Sequence, residues 1–238
     1  MTRFMSMMAM ATGLTITGSA LAAPVSTVVS RQDRHDAGHA EFEISTTDLV
    51  NSGQPSLEGA AIISGGALFG SGLQYLHDGA FSNDFAATGN LFAPDVGTVV
   101  EFTLNLNHSP MGYDISSIVS TTWYAGFERG GQAYKVEVAG VGSNDFVLLF
   151  EIDPTLPGNV EPAPAGGLQI TTVDNGGGVL ASGVERIRVT FIGHEGAGAP
   201  ESVYAEFDIH GVPTAVPEPA SVALLGIGVA LISRRRRR

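Results

Sequence analysis

The sequence predicts an all-β protein with a single β-sandwich domain, and two observations on its central part support this. Several short segments alternate between apolar and polar side chains with a period of two, as half-buried strands do. Turns rich in Gly, Asn and Pro separate these segments, and no stretch between 40 and 212 keeps a long helical period with caps. The 238 residues include no Cys, so an apolar core must stabilise the domain without disulfides.

Four segments carry the alternating pattern and a fifth is continuously apolar. The alternating apolar rows are Phe102, Leu104 and Leu106; Tyr134, Val136 and Val138; Ile187, Val189 and Phe191; and Val203, Ala205, Phe207 and Ile209. In the last segment the intervening Tyr204, Glu206 and Asp208 are predicted to form the opposite, polar face. The run from Val147 to Phe150 predicts a strand buried on both sides. Residues 130–131, 142–145 and 174–178 predict turns between strands.

The N-terminus has the layout of a secretory signal peptide. Arg3 precedes a mostly apolar stretch from Phe4 to Ile16, and Ala20-Leu-Ala22 provides a small-x-small cleavage site. Cleavage is expected after Ala22, because Pro24 would directly follow a cut at the next position. The chain is therefore divided into a signal peptide at 1–22, a polar and mobile lead-in at 23–41, the β domain at 42–212 and a C-terminal tail at 213–238.

The tail joins three features in a fixed order. Pro217, Glu218 and Pro219 are followed by an apolar stretch from Ala220 to Ile232 and then by the arginines 234–238. As a helix, this stretch would measure about 20 Å, whereas a bilayer core of about 30 Å normally needs about 20 residues. The length therefore favours transient insertion into the inner membrane over a permanent span, and an ordinary short tail anchor is the alternative.

In the order and spacing of these features, the tail resembles the PEP-CTERM sorting signal of envelope proteins in Gram-negative-type bacteria. The resemblance implies cleavage near the Pro-Glu-Pro triplet by an exosortase, a membrane-embedded cysteine transpeptidase. It implies that the mature protein is exported to the cell envelope, the outer surface or the extracellular matrix.

Processing at both ends would make the chain strongly acidic. It removes six of the 12 basic residues but only one of the 24 acidic residues, so six bases and 23 acids remain, a net charge of −17. Nucleic acid is excluded as an expected partner, because its binding needs clustered Lys and Arg. Divalent cations and neutral polysaccharides remain compatible with this charge.

The β domain carries motifs near its start and at its end. Leu76-His-Asp-Gly79 forms an early loop, and Tyr204-Ala-Glu-Phe-Asp-Ile-His-Gly211 forms the last strand. Together with the strands between them, these motifs resemble the galactose-binding-like jelly roll of the discoidin, or coagulation factor type C, superfamily. The resemblance covers about residues 42–212, and another kind of β-sandwich is the alternative.

This resemblance implies a structural Ca²⁺ ion beside the early loop. The matching positions are Asp78 and Glu206, with Asn83 and Asp84 nearby in the loop. Carboxylate and carbonyl oxygens are the ligands that Ca²⁺ prefers. The alternative is that Asp78 only caps a turn while Glu206 lies on a solvated face.

A carbohydrate site needs an aromatic surface for the apolar face of a sugar, with polar groups at its rim. Trp123, Tyr124, Phe127 and Arg129 provide such a cluster at a strand end. Possible neighbours are Tyr75, His77 and Tyr113. The alternative is that Trp123 belongs to the core and that Arg129 pairs with an acid or braces a loop.

Sequence motifs of common enzymes are absent. The chain has no Gly-x-Ser-x-Gly elbow, no His-Glu-x-x-His helix and no phosphate-binding glycine loop. The six histidines show no convincing metal-ligand spacing. We therefore expect a non-enzymatic protein that binds exopolysaccharide or another glycan, or has a structural role. A secreted polysaccharide-acting enzyme with the same tail and a passive matrix component are the alternatives.

Overall fold

The computed structural model describes residues 25–33, 42–68, 72–80, 91–124, 131–159, 166–193 and 202–216. Nine strands and one short 3-10 turn, at Leu73–Leu76, occur in these ranges, which contain no α-helix. The strands are β1 (Val25–Asp33), β2 (Leu57–Ser64), β3 (Val99–Leu104), β4 (Tyr113–Tyr124), β5 (Tyr134–Gly140), β6 (Val147–Ile152), β7 (Gly166–Asp174), β8 (Ala181–Phe191) and β9 (Tyr204–Pro213).

The strands form two antiparallel layers. One layer has the order β1-β7-β4-β9, and the other has the order β2-β3-β8-β5-β6. A short pairing of β4 with β8 at Tyr113 and Ile115 joins the layers at one corner. From β3 onward the chain crosses from one layer to the other after each strand except at the β5-β6 hairpin, in the manner of a jelly roll. The predicted all-β jelly-roll sandwich is therefore confirmed.

Aromatic side chains from both layers meet in the core. The Tyr134 ring, from β5, lies 5.2 Å from the Phe207 ring and 6.2 Å from the Tyr204 ring, both on β9. Phe191 of β8 lies 4.8 Å from the same Tyr204 ring. These centroid distances fall in the range of favourable aromatic pairs, so the aromatic contacts fix β9 against the opposite layer.

A β-bulge changes the predicted pattern of the last strand. Thr121 and Thr122 of β4 face Glu206 and Tyr204, which leaves Ala205 as an extra residue on β9. Tyr204, Phe207 and Ile209 consequently face the main core, while Val203 and Ala205 join a second apolar cluster. The single predicted row of Val203, Ala205, Phe207 and Ile209 is therefore wrong, because the bulge reverses the alternation.

Two further predictions differ from the structure. Residues 25–33 form β1, which pairs along its whole length with β7, although the sequence predicted a mobile lead-in there. Strand β6 pairs only with β5 and leaves Val147 and Leu148 about half exposed, although the sequence predicted burial on both sides. The residues of β1 and β6 are both compatible with a strand. Whether β1 pairs, and how far β6 is buried, depends on the position of each strand in its sheet.

The predicted turns at 142–145 and 174–178 are confirmed. In the second turn, Asp174 Oδ2 accepts hydrogen bonds from the N–H groups of Gly176 and Gly178 at 3.0 and 2.8 Å. The signal peptide at 1–22 and the tail residues 217–238 lie outside the described residues. Within the described ranges, no helix is long and apolar enough to cross a membrane.

Candidate functional site: a buried carboxylate cluster beside a loop end

Four acidic residues, Asp48, Asp78, Glu206 and Asp208, form what we call the carboxylate cluster. Glu206 and Asp208 lie on the outer face of β9, where residues 45–52 cover them. Leu49 N donates to Ile209 O at 2.8 Å. The same covering segment reaches the early loop, since Ser52 N donates to His77 O at 2.8 Å. The covering segment thus connects β9 with the loop that contains Asp78.

Glu206 lies at the centre of the cluster and is only 1% exposed. Its Oε2 accepts a hydrogen bond from Gly79 N at 3.2 Å, whereas its Oε1 has no hydrogen-bond partner among the described residues. Burial, reinforced by the charges of Asp208, Asp78 and Asp48, raises the pKa of Glu206 to about 10. Without a bound cation, this carboxyl is therefore protonated at neutral pH.

Asp208 and Asp48 are buried to a similar extent, each 2% exposed. Asp208 Oδ2 accepts from Ser45 N at 3.1 Å, and Asp48 Oδ1 accepts from Val50 N at 2.9 Å. The second oxygen of each has no hydrogen-bond partner in the described parts of the chain. Burial raises the pKa of Asp208 to about 7, and burial also raises the pKa of Asp48.

Asp78 lies at the edge of the cluster and is partly exposed. Its Oδ1 caps the loop by accepting from Ala80 N at 2.9 Å. The neighbouring Gly79 has a positive φ of 71°, and a Cβ there would collide with Asn51 Nδ2. Glycine therefore allows the early loop to pack closely on the covering segment.

The structure brings the two predicted metal ligands Asp78 and Glu206 into one cluster, while Asn83 and Asp84 lie outside the described residues. The alternative, that Glu206 lies on a solvated face, is wrong, because the residue is only 1% exposed and residues 45–52 cover it. In the described ranges, no three His, Asp or Glu side chains are arranged as a ready metal site. The donor chemistry nevertheless fits a hard cation, since three buried carboxylates each have an unpartnered oxygen.

Sequence reasoning missed Asp48 and Asp208 as members of this cluster. The period-two pattern gave Asp208 a solvated face, as it did Glu206. No sequence signal showed that residues 45–52 would fold over that face. Asp48 bonds the N–H of Val50, two residues further along the chain. An Asp that caps its own turn in this way is equally common in exposed turns, so it would not have indicated burial.

Two of the four residues predicted to form the sugar-binding cluster, Trp123 and Tyr124, are the last residues of β4. The backbones of Trp123 and Tyr124 pair with Gly167 and Gly166 of β7. The side chains of both residues, together with all of Phe127 and Arg129, lie outside the described structure. The predicted metal and sugar positions are far apart in sequence but near each other across the sheet, because Thr121, two residues before Trp123 on β4, faces Glu206 of β9.

The proposed aromatic neighbours differ in position. Tyr113 begins β4, eleven residues from Tyr124, so its ring lies at the opposite end of the sandwich. It is buried, and its hydroxyl donates to Asn105 O at 3.0 Å. His77 is also buried and packs edge-on against Phe102 at 5.6 Å. Tyr113 therefore cannot join the sugar cluster, and Tyr75 remains the partly exposed candidate.

A buried polar network supports this loop end from below. Ser120 Oγ of β4 donates to Gln132 Oε1 at 2.5 Å and lies 2.7 Å from the hydroxyl oxygen of Tyr134. Gln132 Nε2 donates to Leu168 O of β7 at 3.0 Å. Asn159 exchanges two hydrogen bonds with the Gln132 backbone at 2.8 and 2.6 Å. The network thus ties β4 to β7, to Gln132 and Tyr134 and to the loop at Asn159.

Comparison with solved structures finds carbohydrate-binding modules of low similarity. A family 32 module of NanJ from C. perfringens, solved with galactose, is 14% identical; the match covers 63% of this chain and 91% of that one, with a TM-score of 0.40. The CBM32-2 module of a family 31 glycoside hydrolase, bound to GalNAc, is 14% identical over 64% and 95%, with a TM-score of 0.42. An F5/8 type C domain from Bacteroides fragilis is 10% identical over 80% and 93%, with a TM-score of 0.33.

Comparison with curated proteins finds no match. Comparison with protein families finds one match, at residues 215–238, to the PEP-CTERM protein-sorting motif. This range contains the predicted sorting residues Pro217, Glu218 and Pro219 together with the terminal arginines. The motif indicates an exported protein that is processed at its C-terminus. The chain thus carries a PEP-CTERM sorting motif at residues 215–238, directly after the jelly-roll β domain, whose last strand ends at Pro213.

Proposed function

We propose that this chain is a non-catalytic glycan-binding or structural protein of the cell envelope or extracellular matrix, released from its sorting tail by an exosortase. Its ligand in this proposal is exopolysaccharide or a related glycan. The acidic mature chain favours a neutral or cationic ligand over an anionic one. A jelly-roll domain without enzymatic motifs is compatible with binding without turnover.

The observation that carries this proposal is the support beneath the end of β4. Gln132, Ser120 and Asn159 anchor both flanks of the segment that contains Phe127 and Arg129. A binding loop benefits from such support, because a pre-organised site loses less conformational entropy on binding. Trp123 and Tyr124 lead directly into this segment and supply aromatic groups that can stack on a sugar ring.

The test is retention of the purified protein on a column of exopolysaccharide from the producing cells. Trp123→Ala should abolish retention while the melting temperature stays close to that of the unchanged protein. Phe146→Ala serves as the matched control, since its ring packs on Arg188 of β8, in the opposite layer. Equal retention of the Trp123→Ala and unchanged proteins would reject the site. Release of reducing ends from the polysaccharide would instead favour the enzyme.

The position of Glu206 argues against a role for this residue as a catalytic acid. Its pKa, raised to about 10, would let it act as an acid at neutral pH. However, the side chain is 1% exposed and lies beneath the covering segment, so a polysaccharide has no route to it. Its raised pKa is therefore better explained by burial next to other carboxylates than by a catalytic role.

We further propose that Ca²⁺ binds at the carboxylate cluster and stabilises the domain. The ion would be held by Glu206 and Asp78, with Asp48 or Asp208 adding an oxygen, and it would join β9 to the early loop. Millimolar calcium should raise the melting temperature, and a chelator should reverse the rise. An unchanged melt under both conditions contradicts calcium binding but leaves the glycan proposal intact, since that is measured by retention.

A further inference from the structure

A polar cavity of about 400 Å³ lies on the outer face of the β1-β7-β4-β9 layer, beside the carboxylate cluster. Val119 of β4 forms the middle of its floor, with Thr171 and Gln169 of β7 on one side and Asp208 and His210 of β9 on the other. Residues 43–45 form a wall. The register explains this arrangement, because Val119 faces Thr171 on one neighbouring strand and Asp208 on the other.

Two polar side chains of this cavity, Gln169 and Asp208, have a hydrogen-bond acceptor without a donor in the described residues. Gln169 Nε2 already donates to Glu43 O at 3.1 Å and to Thr121 Oγ1 at 3.2 Å, so both of its hydrogens are engaged. Its Oε1 is the atom left to bind a ligand. Asp208, 2% exposed, has one carboxylate oxygen with no hydrogen-bond partner within the described residues. A second carboxylate, from the exposed Glu43, lies on the wall.

The charges around the cavity point to a cationic ligand. Its lining includes two acidic residues and neither Lys nor Arg. A buried carboxylate oxygen that accepts no hydrogen bond destabilises the folded protein. An ammonium group removes this penalty by donating a charge-assisted hydrogen bond to the oxygen. The volume lies within the range that holds a single small organic ligand.

We propose that this cavity binds the ammonium group of a monosaccharide-sized amino sugar. The amine would donate to Asp208 and Gln169, while Ser45 and Thr171 would bond the ring hydroxyls. Val119 would contact an apolar patch of the ring. None of the cavity residues belongs to the Trp123 cluster, so the test of this site is independent of the retention test for that cluster.

The test uses the full-length protein in a chelator, so that calcium does not compete. The probes are glucosamine, N-acetylglucosamine and glucose, and binding is measured by calorimetry and by NMR shifts of the amides of Val119, Thr171 and His210. Glucosamine should bind about tenfold more tightly than the two neutral sugars, because only it carries an ammonium group. Equal affinity for all three sugars, or no measurable binding of glucosamine, would overturn the proposal.

Variants locate the binding. Asp208→Asn keeps the side-chain shape and should weaken glucosamine binding about tenfold. Glu43→Gln changes an exposed residue and should therefore leave the fold intact. It should weaken glucosamine binding by a smaller factor than Asp208→Asn. Glu151→Gln, an exposed acid-to-amide change on β6, is the control and should have no effect. Unchanged affinity in both Asp208→Asn and Glu43→Gln would contradict this location even if glucosamine binds.

Discussion

The backbone N–H of Gly79 donates a hydrogen bond of 3.2 Å to Oε2 of Glu206, which lies 127 positions further along the chain. This bond joins the early loop to the last strand and leaves the other oxygen of Glu206 buried without a partner among the described residues. Because this carboxyl is buried, and because Asp208, Asp78 and Asp48 surround it, its charged form is strongly disfavoured. Stability, pH and cation binding should therefore be coupled at this position.

The calcium-free protein should be more stable at pH 5 than at pH 8. The folded-state pKa values of Glu206 and Asp208, about 10 and about 7, lie above their ordinary values of 4.5 and 3.8. The native state therefore holds more protons than the unfolded state across pH 5–8, and stability falls as pH rises. Each such proton contributes up to about 1.4 kcal/mol per pH unit. Thermal melts in a chelator measure the effect.

The double variant Glu206→Gln/Asp208→Asn is the control for this pH dependence. It removes both titrating groups while keeping their shapes, so its melting temperature should change much less between pH 5 and pH 8. An equal pH dependence in the variant and the unchanged protein would show that other groups are responsible. Calcium should stabilise the unchanged protein more at pH 8 than at pH 5, because the metal must displace protons from these carboxyls.

Gly79→Ala should destabilise the domain more than Gly97→Ala. Both glycines have a positive φ, 71° and 84°. Because alanine is strained in this conformation, each substitution should lower the free energy of unfolding by about 1–2 kcal/mol. Only at Gly79 would the new Cβ also collide with Asn51 and approach Ser45 O at 3.2 Å, whereas nothing lies within 4 Å at Gly97. Denaturant unfolding of the two variants measures the difference. Equal losses would show that the early loop adapts freely.

Gln132→Leu should reduce the free energy of unfolding by about 2–4 kcal/mol, because it removes the side-chain bonds to Ser120 and Leu168 and leaves buried polar atoms without partners. Tyr134→Phe is the comparison, since it removes one hydroxyl from the same network and should lose about 1 kcal/mol. Urea unfolding of both variants gives these values. A smaller loss for Gln132→Leu than for Tyr134→Phe would contradict the central role of Gln132.

Intact mass spectrometry of the protein recovered from envelope and medium should show a chain from about Ala23 to about Pro217. Such a mass fits removal of the signal peptide and cleavage near the Pro-Glu-Pro triplet within the matched motif. Deletion of residues 234–238 tests the tail itself and should leave the C-terminus uncut. A native chain that still ends at Arg238 would contradict processing.

The sequence alone predicted the parts that depend on local patterns. The order of Pro217, Glu218, Pro219, an apolar stretch and arginines identified the sorting motif without any folded context. Alternation of apolar residues located β5 and β8, because side chains in a strand point to opposite faces whatever surrounds them. The turn at Asp174 was equally local, since its side chain bonds the backbone two and four residues away.

Tertiary structure decided which of the patterned residues are buried. Glu206 and Asp208 lie on the polar face that the alternation assigned to them, yet residues 45–52, from the other end of the domain, cover that face. The bulge at Ala205 and the edge position of β6 likewise follow from pairing with distant strands. Burial depends on contacts between residues far apart in the chain, whereas the period of two depends only on neighbours.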